Sequence, residues 1–445
     1  MSVLVTGGIV LPMTGARTWF DPGAVLFGAD GKILAVGPAP AVAADSRAAG
    51  AELVDATGRA VLPGLHNCHM HSGLLRGTAE SMALWDWLRS YVDPAHRALT
   101  PEIAAVASRL CYAESVLAGT TSLMDMWRYM EGSAAAADEI GLRATLVPYL
   151  ADEVGYDYFE SLESNRKLLE EVGCRKGARV RAWVGLEHLL YCTESCFEAA
   201  GKMAAEFGCG IHTHSSESTW EVEESLRRWD RRPLEVMRDR GVLGPDTVVA
   251  HCVWLDDNEI RILAETGTAV AHCPCSNMKL ASGAARIGAL RAAGVTVGIG
   301  SDGEKENNNL DLLEEMKFAS LLEKVSTLDP VAGDPWDILA MATSEGARAL
   351  GIGDITGTLE PGKAADLICV ELTGLHTTPV LGGSDFNVAA HLVFSARGCD
   401  VRDVWVDGRR LLDGGLPLTF DPQAVRAEAQ VAAEDLFARI AALAV

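Results

Sequence analysis

Features that would direct the chain to a membrane or a secretory route are missing from this sequence. Residues 1–8 contain no basic segment followed by an apolar core, which is the pattern of a signal peptide. No uncharged apolar run approaches the roughly 20 residues that a membrane-spanning helix requires. We therefore expect a cytoplasmic protein without a membrane partner.

Basic residues are few. The chain has 38 Lys and Arg against 61 Asp and Glu, which gives a formal net charge of −23 at pH 7. Because nucleic-acid backbones and anionic membranes repel such a chain, we expect neither as a partner. The charge places no restriction on a small-molecule substrate.

Cysteines follow no framework spacing. The 11 cysteines are odd in number and scattered, which indicates reduced thiols rather than a disulfide-bonded scaffold. The remaining composition is ordinary for a globular protein, with 49% hydrophobic and 22% charged residues. A length of 445 residues is ample for a large core and favours more than one domain.

Short strand-like runs alternate with Ala- and Leu-rich stretches that have helical spacing. Eight such runs are predicted near residues 60–65, 120–126, 143–150, 179–186, 208–214, 247–251, 268–272 and 295–301. Strand and helix alternating eight times is typical of a closed parallel barrel. We predict an α/β protein with a (β/α)₈ TIM barrel over residues 58–356.

The two ends of the chain have a different pattern, with short strands and turns such as Val25–Gly28 and Val401–Val406. We predict that residues 1–57 and 357–415 form one small β-sandwich domain beside the barrel. Residues 416–445 are rich in Ala and Glu and are predicted to form a C-terminal helical segment.

Histidines fall at the ends of the predicted barrel strands, where barrel enzymes carry their chemistry. The strand ends hold six histidines and an aspartate, namely His69, His71, His212, His214, His251, His272 and Asp302. A strand alternates its faces, so two histidines that are two residues apart can reach one ion. This clustering indicates a metal site, whereas His66, His376 and His391 are expected to be ordinary structural histidines.

The donor types in this cluster match a catalytic metal centre. Three imidazoles and a carboxylate leave a coordination position for water, and a bound divalent ion can lower the pKa of that water to ~7. Glu217 follows His214 by three residues. It can therefore lie in the same pocket and protonate a ring nitrogen or a leaving amine without binding the ion.

A competing motif lies at Gly298–Gly303, which matches the dinucleotide-binding pattern G-x-G-x-x-G. That pattern belongs in an early βαβ unit with an acidic residue ~20 positions further on. Here it ends the eighth predicted strand and contains Asp302. We therefore reject a dinucleotide site.

Several segments resemble the amidohydrolase superfamily, and most closely its branch of S-adenosylhomocysteine deaminases, guanine-type deaminases and triazine hydrolases. The similar segments are Pro63–His71, Leu74–Gly77, Ala118–Thr121, Ala271–Leu280, Ser301–Gly303, Asn307–Asp311 and Gly357–Leu367. They keep the family's order along nearly the whole chain. The resemblance implies a barrel hydrolase.

The resemblance also implies roles for individual residues. The implied ligands of one divalent ion, zinc or else iron, are His69, His71, His214 and Asp302. His251 would polarise the attacking water, Asp302 would take its proton, and Glu217 would carry a proton to the substrate. Two-metal members have a lysine on the fourth strand, and residues 179–191 contain none, so we predict a single ion.

The substrate pocket departs from the family pattern. Residues 185–191 resemble the family's substrate-contacting Gly-Pro-His-Ala-Pro-Tyr segment, so His188 is a predicted substrate contact. Both prolines are missing and Glu187 precedes the histidine. Glu187 either selects a cationic or hydrogen-bond-donating substrate or is a buried carboxylate paired with an arginine. Trp87 is predicted to stack on a planar ring unless it belongs to the core, and His272 is also placed in the substrate site.

A second departure concerns nucleosides. The glutamate with which adenosine-type deaminases hold ribose hydroxyls corresponds to His96 here, so His96 is a predicted substrate contact. We expect hydrolytic deamination of a free ring such as an aminopurine, pterin or triazine. The alternatives are release of halide or alkylamine from a triazine, cleavage of an amide or urea bond, and a non-catalytic barrel. By analogy, a homo-oligomer is expected.

Overall fold

The computed structural model describes residues 1–78, 80–82, 84–156 and 158–443. The predicted domains also include residues 79, 83, 157, 444 and 445, which lie outside the described residues. A barrel of parallel strands forms the centre. Its strands are Leu65–Met70, Thr120–Trp127, Arg143–Pro148, Val180–Ala182 continued by Val184–His188, Ile211–Ser215, Thr247–His251, Ala269–His272 and Val297–Ile299. The predicted (β/α)₈ barrel is confirmed.

Hydrogen bonds run around the whole barrel. Neighbouring strands pair in parallel from the first to the fourth and from the fourth to the eighth. The fourth strand is interrupted at Trp183, whose N–H donates to Leu146 O over 2.9 Å. The backbone N–H of Asp302 donates to His69 O over 3.0 Å and links the end of the eighth strand to the first. This last bond brings two predicted metal ligands together.

The first barrel strand was predicted too early, near residues 60–65. Arg59–Pro63 pairs instead with Leu367–Glu371 and Val3–Val10, so it belongs to the small sheet. Residues 60–73 are buried without interruption, so hydrophobicity does not show where one sheet ends. The break falls at Gly64, where a Cβ would collide with Thr121. The domain boundary therefore lies near residue 64 rather than between 57 and 58.

Helices surround the barrel, and several of them begin at polar caps. Thr100 Oγ1 accepts the N–H of Ile103 over 3.3 Å at the start of the helix after the first strand. The described helices are Ala39–Ala43, Leu84–Trp87, the π-helical turn Leu88–Val92, Asp93–Ala98, Pro101–Leu117, Met130–Ile140, Leu162–Val172, Glu194–Phe207, Thr219–Trp229, Pro233–Asp239, Asp257–Thr266, Pro274–Lys279, Ile287–Ala292, Glu304–Asn307, Leu312–Thr327, Pro335–Ala342, Ser344–Ala349, Val388–Phe394 and Pro422–Leu443. None of the described helices is long and apolar enough to cross a membrane.

The two ends of the chain form one continuous sheet beside the barrel. Its nine strands are Val3–Val10, Phe20–Phe27, Ile33–Pro38, Glu52–Asp55, Arg59–Pro63, Leu367–Glu371, Val401–Val406, Arg409–Asp413 and Leu416–Pro417. Val5 and Val25 from the N-terminal strands share one apolar cluster with Leu367 and Trp405 from the C-terminal strands. The sheet thus encloses its own small core, although it is a single sheet rather than two separate ones.

A buried ion pair holds this sheet to the barrel. Arg143, at the start of the third barrel strand, donates from Nε to Asp366 Oδ2 over 2.6 Å and from Nη2 to Oδ1 over 3.2 Å. Asp407 in a turn of the small sheet also pairs with Arg143. Burial alone would raise the pKa of Asp366, but the guanidinium of Arg143 lowers it below its usual value. The pair therefore stays charged.

Candidate active site

The predicted metal ligands converge at the carboxyl end of the barrel. His69 lies on the first strand, His71 directly follows it, and His214 lies on the fifth. The Nε2 atoms of His71 and His214 are 3.2 Å apart. The Nε2 atoms of His69 and His71 each lie 3.4 Å from Asp302 Oδ1.

Backbone carbonyls fix the hydrogen positions of two of these rings. His71 Nδ1 lies 2.7 Å from Met126 O, and His214 Nδ1 contacts Glu187 O. A carbonyl oxygen only accepts, so Nδ1 carries the hydrogen in both rings and each Nε2 presents a lone pair. The Nε2 atoms of His71 and His214, which are 3.2 Å apart, therefore face each other with lone pairs and without a hydrogen between them.

The third ring is fixed by another histidine. His69 Nδ1 lies 2.7 Å from His212 Nε2, and His212 Nδ1 lies 2.9 Å from Val248 O. Because His212 must donate to the carbonyl, its Nε2 accepts from His69. His69 Nε2 is then an unprotonated, buried nitrogen, and it has no hydrogen-bond partner.

This donor set fits one divalent cation. Three lone pairs and one carboxylate face a common point, and Zn–N bonds of about 2.0–2.1 Å suit donor nitrogens that lie slightly more than 3 Å apart. Burial lowers the pKa of His69, His71 and His214, which keeps the rings neutral as metal binding requires. The described fourth strand carries no lysine that could bridge a second ion.

The predicted proton-transfer residues Glu217 and His251 lie beside the predicted ligands. His251 Nε2 lies 3.8 Å from Glu217 Oε2 and 3.9 Å from Asp302 Oδ2, so the three groups face one another at distances beyond a direct hydrogen bond. His251 Nδ1 lies 3.1 Å from Asn277 Oδ1, and Ser282 Oγ donates to Glu217 Oε1 over 3.2 Å. Burial raises the pKa of Glu217, which favours its protonated form.

A small cavity opens over this site. Its described walls include four aromatic residues, Trp85, Trp87, Tyr149 and Tyr191, and five acidic residues, Glu187, Glu217, Glu221, Asp302 and Glu306. The predicted substrate contacts Glu187, His188 and Trp87 all line this cavity. A planar, nitrogen-rich ring suits such walls.

Two predicted substrate contacts lie elsewhere, contrary to expectation. Among the described lining residues, neither His96 nor His272 is present. The ring of His96 packs 5.2 Å from that of Tyr149 and 5.3 Å from that of Phe159, in an apolar layer behind the cavity. Burial, and then the nearby His251, lower the pKa of His272 to about 3. Alignment with a family gives a position along the chain but not the direction in which a side chain points.

Glu221 is a candidate positioning residue that sequence reasoning missed. Its carboxylate accepts the N–H of Ser216 over 2.7 Å and of Glu217 over 2.8 Å, and it lies 3.2 Å from His188 Nε2. It therefore fixes the loop that carries the proposed proton carrier. Ser218 caps the following helix by accepting from the Glu221 N–H, and this Ser-x-x-Glu spacing is the signal that could have found it.

Glu187 is not paired with an arginine. Its Oε2 is buried without a hydrogen-bond partner, and no ion pair to Lys or Arg forms among the described residues. Burial raises the pKa of Glu187 to about 8. Burial also raises the pKa of Glu306 to about 8, but this carboxylate has a partner, because Lys305 Nζ lies 2.9 Å from Glu306 Oε1.

A parallel barrel that gathers neutral imidazoles, a carboxylate and an acid–base pair at its carboxyl end is typical of metal-dependent hydrolases. Residues 60–411 match the model of the Amidohydrolase family. The chain belongs to this family.

Similar proteins extend over the whole chain. A 5'-deoxyadenosine deaminase of Methanosarcina mazei is 38% identical over 442 residues, covering 98% of this chain and 99% of that protein. A 5-methylthioadenosine/S-adenosylhomocysteine deaminase of Pelotomaculum thermopropionicum is 37% identical, covering 96% and 97%. A zinc-bound adenosine deaminase of Xanthomonas campestris superposes with a TM-score of 0.91 at 31% identity and covers 98% of both chains. The predicted superfamily and its deaminase branch are confirmed.

Proposed function

We propose that the protein is a zinc-dependent deaminase of a planar nitrogen heterocycle, in which water replaces an amino group. The convergence of three Nε2 lone pairs and Asp302 beside Glu217 carries this proposal. The names of the similar proteins support it, since they describe deaminases and one of these structures contains zinc.

His69, His71, His214 and Asp302 would hold the ion, whose chemistry is to make the attacking water acidic. Asp302 Oδ2 faces His251 Nε2 at 3.9 Å, so the two groups can share the water and take its proton. Glu217, whose pKa is raised by burial, can deliver a proton to the ring nitrogen and later to the departing amine. Asn277 holds His251 in the orientation that this exchange needs.

We propose a free ring as the substrate, with aminopurines, pterins and aminotriazines as candidates. The similar deaminases are named for nucleosides. In this chain the position that corresponds to the family's ribose-binding glutamate is His96, which packs behind the cavity. A ribose would therefore lack that partner.

The test is ammonia release by the zinc-reconstituted protein from aminopurines, pterins, aminotriazines and guanidino compounds, with product masses recorded. Exchange of one NH for one oxygen is expected. Glu217→Gln should lower kcat about 100- to 10,000-fold, the usual contribution of a proton carrier, with zinc still bound. The exposed Glu223 provides the control Glu223→Gln.

Two results would contradict this function. Glu217→Gln with near-normal turnover and bound zinc would remove Glu217 from the reaction. Absence of ammonia, with release of halide or alkylamine or with cleavage of an amide or urea bond, would replace deamination by another hydrolysis.

A further inference from the structure

Glu187 is a buried acidic side chain that the reaction proposed above does not use. It lies in the fourth barrel strand and is 7% exposed. Its N–H donates to Leu150 O over 2.8 Å, while its carbonyl accepts from His214. Because the backbone is held on both sides, the strand fixes the direction of this side chain, which lines the cavity.

The other acidic groups of the cavity already have partners. Asp302 faces the histidines, Glu217 accepts from Ser282, Glu221 accepts two backbone N–H groups, and Glu306 pairs with Lys305. Neither lysine nor arginine occurs among the described residues that line the cavity. Glu187 Oε2 is a buried acceptor without a donor, as is Glu306 Oε2, but Glu306 has Lys305 beside its other oxygen. A buried acceptor of this kind costs free energy unless a ligand supplies a donor.

The neighbouring walls are suited to a positive charge. Trp85, Tyr149 and Tyr191 line the same cavity, and the ring centroids of Trp85 and Tyr191 are 6.2 Å apart. Aromatic faces attract cations, and a carboxylate binds a planar group with two parallel N–H donors most strongly when that group is charged. A neutral ring would leave Glu187 with weaker compensation for its burial.

We propose that the substrate presents a planar amidinium or guanidinium cation and that Glu187 is the specificity-determining residue that binds it. This inference deepens the proposed function, on which it rests for the reaction but not for the binding preference. It assigns a charge to the substrate, which the family match leaves open.

Calorimetric titration of the zinc-loaded full chain tests this preference with benzamidinium and its neutral isostere benzamide as probes. Wild type should bind benzamidinium at least tenfold more tightly than benzamide. Glu187→Gln should weaken benzamidinium binding about 10- to 100-fold, the usual effect of losing a charged hydrogen bond, and should change benzamide binding little. Glu223→Gln, which neutralises an exposed carboxylate after the fifth strand, should change neither.

A stability measurement separates binding from a structural role. Glu187→Gln without a probe should unfold at the wild-type temperature or higher, because it removes a buried acid that lacks a partner. A fall of several degrees would overturn the proposal, and so would equal binding of the two probes by wild type. Ammonia release from a neutral ring, unaffected by Glu187→Gln, would overturn this inference alone. A benzamidinium preference without any ammonia release would overturn the deaminase function alone.

Discussion

Replacing His212 by leucine should weaken zinc binding although all four proposed ligands remain. The change removes the acceptor, 2.7 Å away, of the His69 Nδ1 hydrogen. A buried N–H without a partner costs about 1–3 kcal/mol, which corresponds to roughly 5- to 150-fold in affinity. Loss of a partner that orients a metal ligand typically lowers metal affinity about 10- to 100-fold. This range agrees with the loss of affinity expected from the unpaired N–H.

Chelator competition measures this effect with purified His212→Leu and His212→Gln. Glutamine keeps an amide oxygen that can accept from His69, so its loss of affinity should be smaller than that of leucine. His66 supplies a matched control, because it is a fully buried histidine on the same barrel strand as His69 with neither ring nitrogen hydrogen-bonded. His66→Leu should leave zinc affinity unchanged.

The reasoning would be refuted by wild-type zinc affinity in His212→Leu with its fold intact. It would equally be refuted if His66→Leu lost as much affinity as His212→Leu, since the effect would then follow from general loosening of the barrel. Unfolding curves of all three variants distinguish these outcomes from loss of structure.

Other predictions concern the domain contact and the proton path. Arg143→Met leaves Asp366 buried without its cation and should lower the free energy of unfolding in urea by about 3–5 kcal/mol. Arg179→Met removes an ion pair whose Asp138 side chain is largely exposed, and should lower that free energy by less than about 1 kcal/mol. The pKa of Asp366 is lowered in the folded state, so its contribution to the free energy of unfolding is complete above the unfolded pKa of about 4. The difference in unfolding free energy between wild type and Arg143→Met should therefore shrink as the pH falls below that value. A difference that stays constant with pH would contradict this. Asn277→Leu frees the His251 ring and should lower kcat about 10- to 100-fold with zinc retained, so unchanged kcat would exclude a positioning role.

Much of the fold follows from local pattern. Pro101–Leu117 and Asp257–Thr266 are two of the helices that the Ala- and Leu-rich stretches between the strands predict, because apolar spacing and capping residues act locally. The first barrel strand was misplaced because residues 60–70 are buried without interruption while the chain passes from one sheet into another. Which sheet a buried strand joins depends on partners far away in sequence.

Residue types predicted which side chains converge at the barrel end better than which side chains line the cavity. Two histidines two residues apart at the end of one strand share a face, so the convergence of His69 and His71 could be predicted without knowledge of any neighbour. His96 lies on a short helix whose rotation is set by packing against Tyr149 and Phe159, and no spacing reveals that. The role of His212 depends on a hydrogen bond between two strands, which has no sequence signal either.

The hydrogen positions of the ligands follow from the barrel architecture. Met126 lies near the end of the second strand, beside the first strand and His71, and Glu187 lies near the end of the fourth, beside the fifth and His214. Carbonyls near a strand's end are no longer all used by the ladder, so these two can accept from the imidazoles. Each ring therefore takes its tautomer from the neighbouring strand's backbone, which side-chain substitution cannot remove. His69 is the exception, because its acceptor is the side chain of His212, and we therefore expect the proposed metal centre to be most sensitive to mutation there.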